Sequence, residues 1–304
     1  MSHWLKRNCP LCSSGEIVEG SEVKAPFEAD AMTFSEVSEF WRGFRKDSCF
    51  FTFSRCAGCE LLYCRNYFTN EQLISLYASM GDNSAGVADS VLERTQRGYY
   101  KFLEKFGYLK NGRYLELGPD TGLLSKNFAN FGASKMTLIE PNNDVREQLR
   151  ESTSQCSSVE ILDDLSDIAP ESLFDVITGI HVYDHLVNLK EELATLSRLS
   201  ISDSRILIVV HDESSLLRRL INKKWPPFCL QHPQLFNPST IKKALLQAGF
   251  EDIEIAKSTN WFPITHIAGM ACSLFGIRGT WTKRLPKTEI PLRLGNMIIV
   301  AKKA

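Results

Sequence analysis

The chain has 304 residues, of which 43% are hydrophobic and 23% charged, and these fractions are those of an ordinary globular protein. This length suffices for one large domain, or for one domain with an appendage. Its 35 lysine and arginine residues nearly balance 36 aspartate and glutamate residues, which gives a formal net charge of -1. The chain therefore lacks the excess positive field with which proteins hold a nucleic-acid backbone.

The N-terminal sequence MSHWLKRNCPLC contains no apolar segment of the kind found in signal peptides. No window of the chain reaches the roughly 18 uninterrupted apolar residues that a membrane span requires. We therefore expect a cytoplasmic protein without a membrane span. Because thiols stay reduced in that compartment, paired cysteines are interpreted as metal ligands rather than as disulfides.

The first part of the chain contains two C-x-x-C pairs, separated by 43 residues. Their members are Cys9, Cys12, Cys56 and Cys59. Four thiolates complete a closed, tetrahedral structural zinc site. Cys49 and Cys64 are competing ligands, but neither belongs to another pair. The sequence predicts a small zinc-ribbon-like module over residues 1–80, with a helical stretch at 34–44.

From residue 81 onwards, short apolar runs alternate with segments of helical periodicity. A helix over residues 87–106 comes first. The predicted strands cover residues 113–117, 135–139, 159–162, 174–182, 205–210, 252–256 and 297–301. The predicted helices between them cover residues 123–131, 189–199 and 238–248. This alternation predicts an α/β domain over residues 81–304, with a doubly wound, mainly parallel sheet of seven strands.

The first strand of that sheet ends in Glu116, and the loop that follows contains Gly118 and Gly122. Glycines allow a sharp turn and a close approach of a ligand, and the next helix offers unpaired N–H donors. The spacing G-x-x-x-G differs from the dinucleotide fingerprint G-x-G-x-x-G, which disfavours NAD and FAD. The second strand ends at Glu140, where a carboxylate is suited to accept both hydroxyls of a ribose.

Four motifs together carry a family resemblance: E-L-G-x-x-x-G, I-E-P, F-D-V-I-x-x-x-H-V-Y-D-H and A-G-F. In combination they resemble class I S-adenosylmethionine-dependent methyltransferases. The resemblance implies a Rossmann-like sheet whose seventh strand lies antiparallel between the fifth and sixth.

The resemblance also assigns roles to cofactor-binding residues. It implies that Glu116, Gly118 and Gly122 line the methionine end of S-adenosylmethionine and that Glu140 holds the ribose. An acidic residue after the third strand is expected at the adenine. Asp164 fits that position, and Asp163 is the competing choice.

The combination of a zinc module with this core is similar to the nucleotide-sugar C-methyltransferases of deoxysugar biosynthesis and to their smaller relatives. The likeness covers the module, the core and the segment after the fifth strand, but not their additional C-terminal domain. It implies a small polar acceptor, saccharide-linked or a nucleotide sugar.

Histidine is the natural base near neutral pH, and three histidines are candidates. His232 lies in a segment that resembles the E-H-x-x-x-F stretch of the sugar C-methyltransferases, where the histidine belongs to the active site. Gln231 replaces the acidic residue and Cys229 stands where a tyrosine is expected, so O-methylation with His232 as base is favoured over C-methylation.

The other two histidines lie at the end of the fourth predicted strand and shortly after it. His181 lies at the carboxyl end of that strand, and both a place beside the transferring methyl group and a purely backbone-bonded role are open to it. His185 is interpreted as a structural residue near the cofactor.

Residues 213–238 are predicted to form an insertion that caps the substrate. The segment combines Arg218, Arg219, Lys223 and Lys224 with the aromatic sequence Trp225-Pro226-Pro227-Phe228. Such a segment can bind an anionic acceptor, and a solvated charged face with an apolar cap is the alternative.

Two other function classes stay open. The chain could be a catalytically silent interaction protein that binds zinc and the cofactor, or a zinc-bearing RNA methyltransferase, which the balanced charge disfavours. We expect a small-molecule substrate, no nucleic-acid partner, and a chain that is a candidate for homodimer formation.

Overall fold

The computed structural model describes residues 4–41, 48–78, 89–107, 111–274, 285–286 and 288–304. The strands are β1 (Leu5–Lys6), β2 (Phe27–Glu28), β3 (Cys49–Phe50), β4 (Phe53–Arg55), β5 (Leu62–Cys64), β6 (Asn66–Tyr67), β7 (Arg113–Leu117), β8 (Lys135–Ile139), β9 (Val159–Leu162), β10 (Phe174–Ile180), β11 (Ser200–His211), β12 (Gln234–Leu235), β13 (Phe250–Lys257), β14 (Asn260–Pro263), β15 (Glu289–Leu292) and β16 (Asn296–Lys303). The α-helices are α1 (Phe34–Ser38), α2 (Asn70–Ala78), α3 (Asp89–Glu104), α4 (Ser125–Asn130), α5 (Arg146–Ser152), α6 (Leu189–Arg198), α7 (Leu216–Ile221), α8 (Pro238–Gln247) and α9 (Ile264–Leu274).

The central sheet has seven strands in the order β13-β16-β11-β10-β7-β8-β9. Strands β7 to β11 pair in parallel, and β16 pairs antiparallel with β11 and with β13. The predicted fold class is therefore confirmed, including the antiparallel seventh strand between the fifth and sixth. Because parallel strands end at the same edge, the residues that follow β7, β8, β10 and β11 meet at one side of the sheet.

The predicted bounds agree with the structure where the apolar runs are sharply delimited. Strands β7, β8 and β9 cover the predicted ranges. Strand β11 begins five residues before the predicted range because its first residues, Ser200–Ser204, are mostly polar. Residues 87–88 of the predicted first helix and residues 42–44 of the predicted helix in the module lie outside the described residues, as does the predicted domain boundary at 80/81.

The N-terminal module contains a small sheet in the order β12-β5-β4. Strand β12 comes from the segment after β11, so this segment completes the sheet of the module. Trp225 and Phe228 are buried, and the ring of Phe228 packs on Phe50 and Phe53. The aromatic part of the predicted cap thus belongs to the core of the module.

Polar contacts join the module to the central sheet. The guanidinium of Arg55 forms two hydrogen bonds to the carboxylate of Glu213, at 2.9 and 3.1 Å, and Asn237 donates to the same carboxylate at 3.0 Å. Arg7 donates to the carbonyl of Val187 at 2.9 Å and to the amide oxygen of Gln234 at 3.2 Å. These partners follow β10 and β11, so the module is fixed next to the carboxyl edge of the sheet.

The buried apolar residues support the same arrangement. One cluster contains Cys9, Cys56 and Cys59 together with sheet residues such as Ile208 and Ile299. A second cluster lies within the module, and a third lies on the α3 and α4 side of the sheet. None of the described helices has both the length and the apolarity needed to cross a membrane.

Candidate functional site

The loop after β7, residues 118–122, is called the glycine loop, and three of its residues lie in the left-handed region of backbone space. The φ angles of Gly118, Asp120 and Gly122 are +61°, +52° and +82°. A Cβ at Gly118 would lie 2.8 Å from Cγ2 of Val182, and a Cβ at Gly122 would lie 2.7 Å from Cδ1 of Leu149. A residue other than glycine at either position would be strained in this backbone conformation, and its Cβ would clash with the neighbouring side chain.

Glu116 lies one residue before the end of β7 and is buried. Its Oε2 accepts hydrogen bonds from the Tyr114 hydroxyl at 2.6 Å and from the Ser125 hydroxyl. Burial raises the pKa of Glu116 to about 7, although these hydrogen bonds favour the charged form. A cationic ligand group beside this carboxyl would favour the ionised state.

Glu140 follows β8, and its carboxylate lies beside the glycine loop. Oε2 accepts the backbone N–H of Asp120 at 3.0 Å, and Oε1 accepts the backbone N–H of Asn142 at 2.9 Å. Burial raises the pKa of Glu140 above its ordinary value. Each carboxylate oxygen has a further lone pair, so the group can accept two ligand hydroxyls while it keeps both backbone contacts. The residues present therefore fit a ribose at this position.

Asp163 and Asp164 follow β9. Oδ1 of Asp164 accepts hydrogen bonds from the backbone N–H and the hydroxyl of Ser166, at 2.8 and 2.6 Å, and caps a short 3₁₀ turn. Asp163 forms an ion pair with Arg146 at 2.5 Å. Both carboxylates thus have protein partners at the edge where the adenine is expected, and the choice of Asp164 stays a prediction.

Four imidazole rings lie next to one another at the carboxyl ends of β10 and β11. The ring centroids of His181 and His211 are 4.8 Å apart, those of His211 and His232 are 5.0 Å apart, and those of His232 and His185 are 4.7 Å apart. We call these four residues the histidine cluster. Val182, which contacts Gly118, follows directly after His181, so the cluster adjoins the glycine loop.

His181 directly follows β10 and has a φ of +55°. Its backbone N–H donates to Val209 at 2.8 Å, and its Nε2 lies 3.5 Å from Nδ2 of Asn296. Among the described residues no group bonds its buried Nδ1. Burial, together with the nearby His211, lowers the pKa of His181 to about 3, so this ring is neutral at physiological pH.

His232 is buried in the segment that completes the module sheet. Its Nδ1 lies 2.7 Å from the carbonyl oxygen of Pro227 and 3.4 Å from the sulfur of Cys229. Because a carbonyl only accepts, Nδ1 of His232 carries the hydrogen and Nε2 carries the lone pair. His185 lies 3.4 Å from the hydroxyl of Tyr77 through its own Nδ1.

Sequence reasoning missed two members of this site, His211 and Asp184. Oδ2 of Asp184 lies 2.7 Å from Nδ1 of His211 and accepts the backbone N–H of the same residue at 3.1 Å. Burial raises the pKa of Asp184 to about 6, so its carboxyl is mainly ionised at neutral pH. The position of His211 at the end of a long apolar strand was a signal that could have identified it.

The four cysteines of the two C-x-x-C pairs come together in the module, within 4.8 Å of one another. The sulfurs of Cys9 and Cys59 are 3.4 Å apart, as are those of Cys12 and Cys56. A hydrogen bond from Cys59 lowers the pKa of the Cys9 thiol below its ordinary value. Tetrahedral zinc with bonds of about 2.3 Å places its sulfurs roughly 3.8 Å apart, so the donor set fits a metal ion after a small expansion.

Known proteins share features with this chain. A family model described as a methyltransferase domain matches residues 91–255. No curated protein matches the sequence.

Solved structures are similar at low sequence identity. The complex of the Haloferax volcanii Trm112 methyltransferase activator with a candidate methyltransferase contains a chain with 12% identity and a TM-score of 0.51; the match covers 70% of this chain and 92% of that one. N-methyltransferase NodS from Bradyrhizobium japonicum WM9 in complex with S-adenosyl-L-homocysteine has 10% identity and a TM-score of 0.48, over 76% and 97% of the two chains. Magnesium protoporphyrin IX methyltransferase from Synechocystis PCC 6803, with the same compound bound, has 15% identity and a TM-score of 0.47, over 71% and 84%. At such identities the likeness concerns the fold.

Proposed function

Since the chain belongs to the S-adenosylmethionine-dependent methyltransferases, whose domain model it matches over residues 91–255, we propose that it methylates a small polar acceptor, saccharide-linked or a nucleotide sugar, on oxygen. The observation that carries this proposal is the position of the histidine cluster beside the glycine loop. When bound, S-adenosylmethionine supplies a methyl group that its sulfonium activates for in-line displacement.

The cofactor lies, in this proposal, along the edge formed by the loops after β7, β8 and β9. Gly118 and Gly122 allow the close approach of its methionine end, and the buried carboxyl of Glu116 binds the cationic amino group. Glu140 accepts the ribose hydroxyls, since its carboxylate is already held by the backbone of Asp120. Asp164 is the proposed contact to the adenine.

The acceptor lies against the histidine cluster, with His181 and His232 among its contacts. Neutral imidazoles can orient a hydroxyl by hydrogen bonding, and one with a lone pair can take its proton. Oxygen is favoured over carbon because the place of the expected tyrosine is taken by Cys229, whose sulfur lies 3.4 Å from His232. Removal of a proton from carbon would require a stronger base than removal of a proton from a hydroxyl, which can lose its proton while the methyl group is transferred.

A negatively charged acceptor is favoured by the segment after β11. The side chains of Arg219, Lys223 and Lys224 are exposed there, close in sequence to His211 and His232. Such a group of cations can bind the phosphates of a sugar phosphate or nucleotide sugar. In this proposal residues 213–238 serve both as part of the module and as the cap of the acceptor site.

Zinc is the proposed ion of the four cysteines, with a structural role. Four thiolates leave no open coordination position, so the metal would stabilise residues 1–80 rather than take part in transfer. Residues 81–304 form the proposed catalytic domain. The half-buried ion pair of Arg55 and Glu213 would connect the metal-stabilised module to the segment after β11.

The test is a transfer assay with S-adenosylmethionine that carries a radiolabelled methyl group. Separate reactions contain UDP-glucose, dTDP-glucose, glucose 1-phosphate and a short RNA. Label in a sugar acceptor, found on oxygen by NMR of the product, supports the proposal, and label on carbon supports C-methylation instead. Label in RNA alone would overturn the acceptor class. Absence of both transfer and cofactor binding would favour a silent interaction protein.

A further inference from the structure

The carboxylate of Asp184 holds the imidazole of His211 in one orientation. Asp184 lies in the loop after β10 and is fully buried, whereas the side chain of His211, at the end of β11, is 19% exposed. One oxygen, Oδ2, lies within hydrogen-bond distance of both the ring Nδ1 and the backbone N–H of His211. Because an ionised carboxylate only accepts, Nδ1 carries the hydrogen. The lone pair of the neutral ring is therefore on Nε2.

Within the residues that the structure describes, the neighbouring rings of His232 and His181 do not have a carboxylate as their direct hydrogen-bond partner on Nδ1. His232 donates from Nδ1 to the carbonyl of Pro227, which is uncharged. His181 is held neutral by burial, which lowers its pKa to about 3. A buried carboxylate stabilises a protonated imidazole far more than a carbonyl does. Of these three rings, His211 is the one bonded directly to a carboxylate, which stabilises its protonated form.

We propose that Asp184 and His211 form the general-base dyad of the methyl transfer. This inference rests on the proposed function and names the residue that takes the acceptor's proton. Nε2 of His211 takes the hydroxyl proton while the acceptor oxygen bonds to the methyl carbon, and the electron pair of the carbon–sulfur bond stays on sulfur. Asp184 is the positioning residue, and the proton leaves His211 for solvent after transfer. His232 and His181 then orient the acceptor.

Hydrolytic triads contain the same arrangement, in which an aspartate orients a histidine that acts as a base. Here the nucleophile is the acceptor's own hydroxyl, and no protein nucleophile is needed. Titratable groups that contact His211 in the described part of the chain include Asp184 on the Nδ1 side and the rings of His181 and His232. Asp212 and Glu213, next in the chain, are bonded to Ser214 and to Arg55 respectively.

The first test does not depend on the acceptor. Diethyl pyrocarbonate modifies imidazole only at an unprotonated nitrogen. The modification rate of each histidine, measured by peptide mass spectrometry at a series of pH values, therefore reports the pH at which that ring loses its proton. In the full-length protein with S-adenosyl-L-homocysteine added, we expect modification of His211 to rise with pH through a single step. In Asp184→Asn, which keeps an acceptor for Nδ1 but removes the charge, that step moves to lower pH by about one unit or more. His266, on α9, serves as the internal reference and does not shift.

An unchanged midpoint for His211 in Asp184→Asn would overturn the dyad. Zn²⁺ added in excess of the metal held by the cysteines provides a second criterion. If it protects both His181 and His211 from modification, these rings bind a cation, and the dyad is overturned. If Asp184→Asn does not fold, the wild-type protein still tests the dyad by NMR. A strongly downfield Nδ1 proton of His211, lost in His211→Gln, is expected, and its absence contradicts the dyad.

The second test uses whichever acceptor of the transfer assay becomes labelled. We expect His211→Gln and Asp184→Asn each to lower kcat by about 100-fold or more with little change in KM. His232→Gln is expected to act mainly on KM, and His266→Gln is the matched control. Full turnover in His211→Gln would remove the base role from His211. If no acceptor is labelled, the proposed acceptor class fails, while the modification experiment still decides on the dyad.

Discussion

The carboxylate of Glu140 accepts the backbone N–H of Asp120 at 3.0 Å, which ties the end of β8 to the glycine loop after β7. Asp120 is one of three residues of that loop with positive φ, so the hydrogen bond helps to hold a conformation that few residues adopt. The protein's own hydrogen bonds thus order the loop that we propose to hold the cofactor. This order lowers the entropic cost of binding.

Gly118→Ala should destabilise both the loop and cofactor binding. The left-handed conformation costs a non-glycine residue about 1 to 2 kcal/mol, and the added Cβ would lie 2.8 Å from Val182. We expect a lower free energy of unfolding in urea and weaker binding of S-adenosylmethionine by calorimetry. Gly98→Ala is the matched control, since it lies inside α3 with no heavy atom within 4 Å of the new Cβ, and it should gain about 0.5 to 1 kcal/mol. Equal effects of the two substitutions would contradict the assignment.

Removal of one zinc ligand should unfold the module. Cys9→Ser is expected to lose the bound metal, measured by atomic emission, and to lower Tm, because a structural metal contributes its binding energy to folding. Cys156→Ser is the control, since Cys156 lies outside the two cysteine pairs. A preparation of Cys9→Ser that keeps stoichiometric zinc and the wild-type Tm would argue against the metal site.

The ion pair between Arg55 and Glu213 should couple the module to the central sheet. Arg55→Ala leaves the carboxylate of Glu213, which is 4% exposed, without its charged partner. Loss of the charged partner in this half-buried pair should cost about 1 to 3 kcal/mol, since Asn237 still donates to Glu213, and the double variant should cost less than the sum of the single variants. Urea unfolding of the three variants measures this coupling. Strictly additive effects, or separate transitions for the module and the core, would show that the pair does not join them.

Stability should depend on pH through Glu116. Burial raises its pKa from 4.5 in the unfolded chain to about 7 in the folded protein. The folded state therefore keeps a proton that the unfolded state releases, so the stabilising contribution is complete below about pH 4.5 and is lost as the pH rises to about 7. The loss is at most about 1.4 kcal/mol per pH unit. Urea unfolding of the wild type and Glu116→Gln between these pH values should show the wild type losing stability relative to the variant, and parallel curves would contradict the prediction.

The sequence determined the sheet well, because its apolar runs are bounded by polar residues and by turns. The number of strands and the antiparallel seventh strand between the fifth and sixth were predicted once the family resemblance was combined with the alternation of strands and helices. The antiparallel pair of β14 and β15 was not predicted, since its residues are mostly half-buried and do not alternate clearly. The early start of β11 was missed because Ser200–Ser204 are mostly polar, and the structure shows a shift in the register with β10 at this point.

The site could be predicted only in part. The structure places Glu116, Gly118, Gly122 and Glu140 at or directly after the strand ends expected from the sequence, and their roles as cofactor contacts stay predictions. The pairing of His211 with Asp184, 27 positions away, depends on two strands being neighbours in the sheet and is invisible in a local motif. The burial of Trp225 and Phe228 in the module was missed for the same reason, because their partners are more than 150 residues distant in the chain.

The central claim is that the glycine loop and Glu140 bind S-adenosylmethionine, and calorimetric titration of the cofactor tests it most directly. The wild type should bind one equivalent, and Glu140→Gln should raise the dissociation constant about 10- to 100-fold, since hydrogen bonds to a charged group contribute about 1.5 to 3 kcal/mol. Circular dichroism of the same samples confirms that the variant is folded. A folded wild-type protein that binds no cofactor, or a Glu140→Gln variant that binds it with unchanged affinity, would contradict the account.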